Sequence, residues 1–127
     1  MSEKIEGVSR EVCDATEYVC FVTQGPDGPH LSGHWGSYMK IDEEGRTLLF
    51  PVGRFQRTEQ NLRNNARIQL MVASRKVQGT RSPGQGCVIE GLGEIVLEGK
   101  PLDEVRERFP WARGALVVRV QGVATQL

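Results

Sequence analysis

The sequence predicts a mainly β protein, a closed or nearly closed antiparallel barrel with a few short peripheral helices. Apolar, β-rich segments recur at short, regular spacing between turn sequences rich in glycine and proline, which is typical of antiparallel β domains. Strands and helices do not alternate along the chain, as they do in parallel α/β sheets. Gly91 and Gly93 lie inside one long predicted strand, and glycines inside strands often mark bends at barrel corners. These three observations favour a barrel.

Each predicted element follows from local sequence patterns. We predict strands over residues 18–23, 30–41, 47–52, 67–73, 87–97 and 115–124, the second interrupted at Gly33 and Gly36. We predict short helices within residues 2–15, with Ile5, Val8 and Val12 on its apolar face, and over 57–65 and 102–109. Residues 24–29 and 42–46 are predicted turns, and residues 78–86 are a predicted loop.

The composition indicates a single domain over residues 1–127 and excludes several functional classes. The chain has a formal net charge of zero, so we expect no general affinity for nucleic acid or membranes. Its three cysteines form no Cys-x-x-Cys pair, which favours a reducing compartment. We find no signal peptide and no apolar run long enough to span a bilayer. We therefore expect a cytoplasmic protein.

One basic segment disturbs the charge balance. Between residues 52 and 76 the chain carries six basic residues and one acid, which favours a small anionic ligand over a polyanion. Residues 51–61 predict a strand end, a Pro/Gly turn and a helix N-terminus with Thr58 as the N-cap. Arg54 and Arg57 lie beside that N-terminus, where backbone N–H groups and the helix dipole suit a phosphate. A capped surface helix with solvated arginines explains the same residues.

Three aromatic residues are candidates for binding a flat ligand. Trp35 and Tyr38 are three apart in an extended stretch, so they face opposite sides unless the backbone bulges. A bulge at Gly36 would bring both to one side, where they would suit stacking on a heteroaromatic ring. A core position for Trp35 explains the same pattern. Trp111 follows the third predicted helix and indicates an interface, a ligand wall or a hydrophobic cap of that helix.

Other polar candidates carry weaker signals. Ser74 and Arg75 close a predicted strand, where they would bind a phosphate or ligand hydroxyls, or lie in solvent. His30 and His34 are the only histidines and are too far apart on one strand for a shared metal without a bend, so we predict no metal site. Ser37 near His34 does not complete a nucleophilic triad, and the cysteines are interpreted as buried small hydrophobes.

Many short matches, in order and spacing, resemble one family: the small FMN-binding proteins of sulfate-reducing bacteria, within the pyridoxamine-phosphate-oxidase-like split-barrel flavoproteins. The resemblance extends from about Tyr18 to Leu127. The matching residues are Thr23-Gln24-Gly25, Asp27-Gly28-Pro29-His30-Leu31, Trp35, Ser37-Tyr38, Pro51-Val52-Gly53, Thr58-Glu59, Asn61, Ser74-Arg75-Lys76-Val77, Pro83-Gly84 and Trp111-Ala112-Arg113.

The resemblance implies an antiparallel Greek-key split β-barrel that forms a homodimer with one FMN per subunit at the interface. It implies that Arg57 and Thr58 bind the phosphate and that Trp35 and Tyr38 lie beside the isoalloxazine ring. Further implied neighbours of the cofactor are Ser74 and Arg75 near the ribityl-phosphate tail, Trp111 and Leu127 from the partner subunit, and Gly33, His34, Ser37, Pro51, Val52 and Gly53. Gly33 and His34 replace an amide and a hydroxyl residue of the family, so polar contacts at these positions differ from the family pattern.

The resemblance implies a redox function based on FMN, which supplies the chemistry while the protein supplies position and electrostatics. The first hypothesis is an electron-transfer protein that works with a redox partner protein. The alternative is a flavin reductase or a pyridoxamine-phosphate-oxidase-like oxidoreductase acting on a small substrate, with His34 or Tyr38 as the available proton donor. A third hypothesis is a module for FMN storage or sensing.

Overall fold

The structure, a computed structural model that describes residues 2–127, contains one antiparallel sheet of seven strands and three short α-helices. The strands are β1 (Tyr18–Gly25), β2 (Gly28–Trp35), β3 (Lys40–Ile41), β4 (Thr47–Val52), β5 (Arg67–Gln78), β6 (Pro83–Val96) and β7 (Gly114–Thr125). The helices are α1 (Gly7–Ala15), α2 (Gln56–Asn64) and α3 (Lys100–Arg108), with a 3-10 turn at Gly36–Tyr38.

The order of strands in the sheet confirms the predicted fold class. The order is β2-β1-β5-β6-β7-β4-β3, with antiparallel pairing throughout. β2 lies at one edge and the β3–β4 hairpin at the other, and the described backbone forms no hydrogen-bonded ladder between them. We call the opening between β2 and the β3–β4 hairpin the split. Within residues 2–127, no helix has both the length and the apolar character needed to cross a membrane.

The core lies inside the curved sheet. Phe21 on β1 packs edge-to-face on Phe50 of β4, with ring centroids 5.0 Å apart, and both side chains are fully buried. On β5 the alternation of Ile68, Leu70 and Val72 places every second residue in this core. Each such large apolar side chain contributes about 1.5–3 kcal/mol by leaving water. A smaller apolar cluster joins α3 to β4 and β7.

The structure corrects the predicted loop over residues 78–86. β5 continues to Gln78 and pairs with β6, which begins at Pro83, so only four residues form the turn. Gly84 has φ +118, a backbone conformation that glycine adopts without steric cost. The glycines that suggested a loop therefore lie in a long, irregular hairpin, with a register shift between Ser74 and Gln78.

Two other predicted elements differ in detail. The N-terminal helix begins only at Gly7, and Ile5 enters the core from the segment before it while Val8 is exposed. The second predicted strand is broken after Trp35 by the 3-10 turn. The bend brings Gly36 against Thr16 so closely that only glycine fits, since a Cβ atom there would lie 2.0 Å from the carbonyl oxygen of Thr16.

His34 crosses the split. Its Nε2 atom lies 2.9 Å from the carbonyl oxygen of Pro51 on β4, and its Nδ1 atom accepts a hydrogen bond from the backbone N–H of Trp35 at 3.1 Å. Because Nδ1 accepts, the proton must be on Nε2, which donates to Pro51. Burial lowers the pKa of His34 below 6.5, and the hydrogen bond to Pro51 opposes this shift. The folded protein therefore favours neutral His34.

This arrangement predicts a pH-dependent stability. Since the pKa of His34 is lower in the folded than in the unfolded chain, the unfolded chain binds more protons as the pH falls below about 6.5. We expect His34 to add a loss of stability on acidification whose slope lies well below the limit of about 1.4 kcal/mol per pH unit for one fully buried group, because water screens the half-buried ring. Urea unfolding of the wild type and of His34→Gln between about pH 7.5 and pH 5.5 measures this slope.

His30→Gln is the matched control, because it removes the other histidine and leaves the contact across the split. The dependence of stability on pH should become shallower in His34→Gln and stay close to wild type in His30→Gln. Equal slopes in His34→Gln and the wild type would contradict the assignment of a neutral, buried His34.

Candidate functional site

The candidate site lies where the split meets the first turn of α2. Thr58, the third residue of α2, is fully buried, and its hydroxyl lies 3.1 Å from that of Ser32 on β2. This contact joins β2 to α2 and lies beside the contact that His34 makes across the split, since Ser32 and His34 share a face of β2. The start of α2 is thus fixed against the edge strand.

The predicted N-cap is wrong. α2 begins at Gln56, and its N-cap is Phe55, which makes no side-chain capping bond. Phe55 adopts the left-handed conformation, with φ 56 and ψ 34, which costs of the order of 1–3 kcal/mol for a residue with a side chain. Its ring packs against Phe21 at 5.8 Å and His34 at 5.5 Å. Packing of the Phe55 ring therefore stabilises a strained turn before α2. The sequence pattern had instead predicted an ordinary N-cap at Thr58.

Arg57 is exposed at the start of α2. It borders a cavity of about 370 Å³ between α2 and the β1–β2 turn, which His30 and Asn61 also line. The N–H groups of Gln56, Arg57 and Thr58 precede the first helical hydrogen bond, in which Glu59 N–H donates to the carbonyl oxygen of Phe55. The exposed Arg57 guanidinium and the free helix N–H groups thus belong to the same first turn of α2, a combination that suits an anion, while the Thr58 hydroxyl is buried against Ser32.

An aromatic cluster forms the other side of the site. Tyr38 lies 4.9 Å from His34, 4.6 Å from Phe109 and 6.4 Å from Trp111, measured between ring centroids. Trp111 also lies over Gly53, where a Cβ atom would approach the indole to 3.2 Å. Trp111 is 53% exposed, so this cluster presents an aromatic surface to solvent.

Trp35 lies outside that cluster. Its ring packs edge-to-face on Tyr18 at 5.5 Å, on the outer face of the sheet where Gly33 leaves room for the tyrosine. The predicted bulge at Gly36 is a 3-10 turn instead, and within one chain the described contacts do not bring Trp35 and Tyr38 together. Trp35 is 51% exposed, so a core position is excluded.

Pro51, Val52 and Ser37 are three further residues predicted beside the cofactor. The carbonyl oxygen of each accepts a hydrogen bond from another part of the chain. The carbonyl oxygen of Pro51 accepts from His34. The carbonyl oxygen of Val52 accepts from Arg113 N–H at 2.9 Å. Ser37 is exposed, and its carbonyl oxygen accepts from the guanidinium of Arg108 at 3.3 Å.

Ser74, Arg75 and Leu127 form a separate group. Arg75 and Leu127 border a cavity of about 790 Å³ beside the β5–β6 turn, and the hydroxyl of Ser74 accepts from Lys76 N–H at 3.1 Å. Trp111 precedes β7 and Leu127 follows it. The twelve residues of β7 separate these positions by roughly 40 Å in an extended strand. One chain therefore does not unite the two groups.

Two polar residues that received no role from the sequence, Gln85 and Arg113, organise these regions. Gln85 is buried, and its side-chain amide accepts from Leu127 N–H and donates to Leu127 carbonyl, both at 2.6 Å. Arg113 ties the β4–α2 turn to Glu59. Arg113 belongs to a matched motif, but nothing local in the sequence indicates its partners. Gln85 gave no signal because its segment was predicted as a loop.

The thiols do not contribute a nucleophile to the site. Burial raises the pKa of Cys13 to about 12, with a smaller contribution from nearby Cys87. Burial also raises the pKa of Cys87. Both side chains lie in the apolar core. These two therefore stay as uncharged thiols at neutral pH, as predicted for buried small hydrophobes. Cys20 on β1 is only half-buried, so the prediction that it is buried is wrong.

Comparison with known proteins places the chain in a family. The family model for pyridoxamine 5'-phosphate oxidase matches residues 5–127. The FMN-binding protein of Nitratidesulfovibrio vulgaris (strain DSM 19637 / Miyazaki F) is 40% identical over 116 residues, covering 91% of this chain and 93% of the relative.

Solved structures agree on the fold. HupZ from Group A Streptococcus is 17% identical with a TM-score of 0.72, and the match covers 90% of each chain. An FMN-binding protein from Syntrophomonas wolfei subsp. wolfei is 12% identical with a TM-score of 0.67, covering 93% of this chain and 83% of that one. Identities this low show the fold alone. On the family model and the curated relative together, the chain belongs to the pyridoxamine 5'-phosphate oxidase family.

Proposed function

We propose that this chain is an FMN-binding redox protein that transfers electrons, with the cofactor at a homodimer interface. One observation carries the proposal: a helix start with free N–H groups beside Arg57 and an exposed aromatic cluster lie on either side of His34, which contacts Phe55 and Tyr38. FMN combines a phosphate with a flat heteroaromatic ring, so it needs both features at once. The 40% identical relative is named an FMN-binding protein.

The proposed phosphate end is the first turn of α2. Arg57 would contribute a fork-shaped donor and Thr58 a buried hydroxyl, beside the free N–H groups of the helix. Thr58 already shares its hydroxyl with Ser32, which limits its rotation. Arg54 has no such fixed neighbour across the split and receives no role in the proposal.

The proposed ring end is the cluster of Tyr38 and Trp111. Tyr38 packs between His34 and Phe109, so its ring orientation is fixed before a ligand binds. Trp111 lies beside the same chain's Tyr38, which favours this chain itself, rather than a partner subunit, as the source of the tryptophan. Bound FMN would supply the electron-accepting ring, and these side chains would orient it and exclude water.

A second copy of the chain would complete the site. Leu127 is 63% exposed and lies with Ser74 and Arg75 at the far end of β7 from Trp111. Within one chain these residues cannot reach the aromatic cluster, whereas in a homodimer the far end of one copy can face the split of the other. Exposed Trp35 offers further apolar surface for such a contact.

The hydrogen bonds of His34 favour electron transfer over substrate oxidation. Its Nε2–H donates to Pro51 and its Nδ1 accepts from Trp35, so neither nitrogen is free to exchange a proton with a substrate. Of the two candidate proton donors, His34 and Tyr38, only Tyr38 then remains available to a substrate. We propose a redox partner protein in the cytoplasm as the electron source, and an oxidoreductase acting on a small substrate as the alternative.

The visible spectrum of the purified protein tests cofactor binding. We expect a yellow protein with the two absorption bands of a flavin, which releases FMN on heating. A colourless protein that does not bind added FMN would refute the proposal. Reduction of the bound flavin by a protein donor but not by NADH or NADPH supports electron transfer, and rapid reduction by either nucleotide supports the oxidoreductase.

Arg57→Ala should weaken binding of FMN through its phosphate. We expect the Kd for FMN to rise by about ten- to hundredfold, since a charge-assisted contact contributes about 1.5–3 kcal/mol. The Kd for riboflavin, which lacks the phosphate, should change little. Titration of the apoprotein with each flavin, followed by fluorescence quenching, measures both constants. Arg54→Ala is the matched control, and an equal loss for FMN and riboflavin would reject the phosphate assignment.

Deletion of Leu127 should change the flavin environment only where two copies associate. We expect a shifted flavin absorption band and a higher Kd for FMN in the dimer, because an apolar contact with the ring is lost. Analytical ultracentrifugation and flavin titration of the same samples measure association and binding together. A wild-type protein that binds FMN tightly as a monomer would rule out the shared site.

A further inference from the structure

We infer that Arg113 is a positioning residue for the anion-binding start of α2, acting through Glu59 and the β4–α2 turn. The inference rests on the proposed function, because its consequence is selective binding of the phosphate of FMN. Arg113 lies in the segment before β7, far in sequence from the helix that it orders.

The guanidinium of Arg113 holds consecutive groups of the turn. Its Nε atom donates to the carbonyl oxygens of Gly53 and Arg54, each at 3.1 Å. One terminal nitrogen also donates to Arg54 and lies 2.9 Å from Glu59 Oε1. One side chain therefore joins the end of β4 to the first turns of α2, and a shorter or non-planar cation does not reproduce this geometry.

Glu59 places a negative charge close to the proposed phosphate. Its side chain is only 11% exposed, and each carboxylate oxygen pairs with one guanidinium: Oε1 with Arg113, and Oε2 with Arg63 at 2.7 Å. Without these partners, the carboxylate would repel an anion at the helix start. Arg113 therefore both shapes the turn and offsets a nearby negative charge.

The β4–α2 turn depends on the hydrogen bonds from Arg113, because its backbone conformation is unfavourable in isolation. Phe55 is left-handed and makes no capping bond. Packing fixes its ring from one side, and Arg113 fixes the carbonyls of the two preceding residues. Together they fix the backbone that leads into Gln56, Arg57 and Thr58, whose N–H groups precede the first helical hydrogen bond of α2.

The backbone of Arg113 is itself fixed. Its N–H donates to the carbonyl oxygen of Val52 at 2.9 Å, and Arg106 Nε donates to the carbonyl oxygen of buried Ala112 at 2.9 Å. The same short segment carries Trp111 into the aromatic cluster. The two proposed ends of the cofactor site are therefore set by one rigid piece of backbone.

Three variants test this role: Arg113→Ala, Arg113→Lys and Arg63→Ala. Arg63→Ala is the control, because Arg63 pairs with the same carboxylate while its described bonds do not include the carbonyls of the turn. Apoprotein is titrated with FMN and with riboflavin, and the ratio of the two Kd values is the readout. A role in stability alone would weaken both flavins equally, so the ratio isolates positioning at the phosphate.

We expect Arg113→Ala to reduce the preference for FMN over riboflavin by about tenfold or more, with riboflavin affinity changing less than about threefold. Arg113→Lys should lie between this variant and the wild type, because lysine keeps the charge and loses the fork. Arg63→Ala should lower the ratio less than Arg113→Ala does, because it removes one of the two cations beside Glu59 and leaves the carbonyl groups of the turn held by Arg113. If Arg113→Ala does not fold, the ratios of Arg113→Lys and Glu59→Gln decide.

The outcomes separate the two proposals. A wild type that binds neither flavin, or that shows no preference for FMN, refutes the proposed function. If the wild type prefers FMN and the Arg113 variants keep the same ratio of the two Kd values, the positioning role of Arg113 is overturned. The proposed function is then unaffected. Equal losses for FMN and riboflavin in Arg113→Lys overturn it as well.

Discussion

The split in the sheet is the constraint on which the rest of the structure depends. Because the backbones of β2 and β4 form no ladder, the two strands are joined there by the side chain of His34, which bonds Pro51. Beside that contact, Ser32 of β2 bonds Thr58 of α2. Each such hydrogen bond contributes about 0.5–1.5 kcal/mol, much less than the ladder of a closed barrel. The gap concentrates polar groups, aromatic rings and a helix N-terminus in one place, which a continuous sheet would have sealed.

Local patterns predicted most of the fold because its turns are local. β4 was predicted with its observed bounds, and β1 and β7 within two residues at each end, since Gly/Pro turns and alternating residues flank them. The β5–β6 hairpin was not predicted, because the glycines that allow its irregular register also resemble a loop. The bend at Gly36 was missed for a different reason: it depends on a close approach to Thr16, a contact that sequence spacing does not reveal.

The candidate site likewise contains residues that neighbouring sequence predicted and residues that it did not. Adjacent residues placed Arg57 and Thr58 at a helix start, because a strand, a turn and a helix start form a contiguous pattern; their role at a phosphate was implied by the family resemblance and stays a prediction. Arg113 and Gln85 were not assigned roles, because their partners are distant in sequence: 60 residues separate Arg113 from Gly53, and 42 separate Gln85 from Leu127. A residue that works by hydrogen-bonding a remote carbonyl leaves no periodicity or motif of its own.

The hydrogen bonds of Gln85 to Leu127 explain how this exposed leucine can contribute to the proposed dimer contact. A flexible chain segment loses backbone conformational entropy when a partner binds it, and that loss weakens association. The backbone of Leu127 is already fixed by Gln85 and by Thr80 N–H, which donates to its carbonyl oxygen at 3.2 Å. In the proposed homodimer, most of that ordering has occurred before the second copy arrives. The far end of β7 is thus preorganised for contact, as Arg113 preorganises the near end.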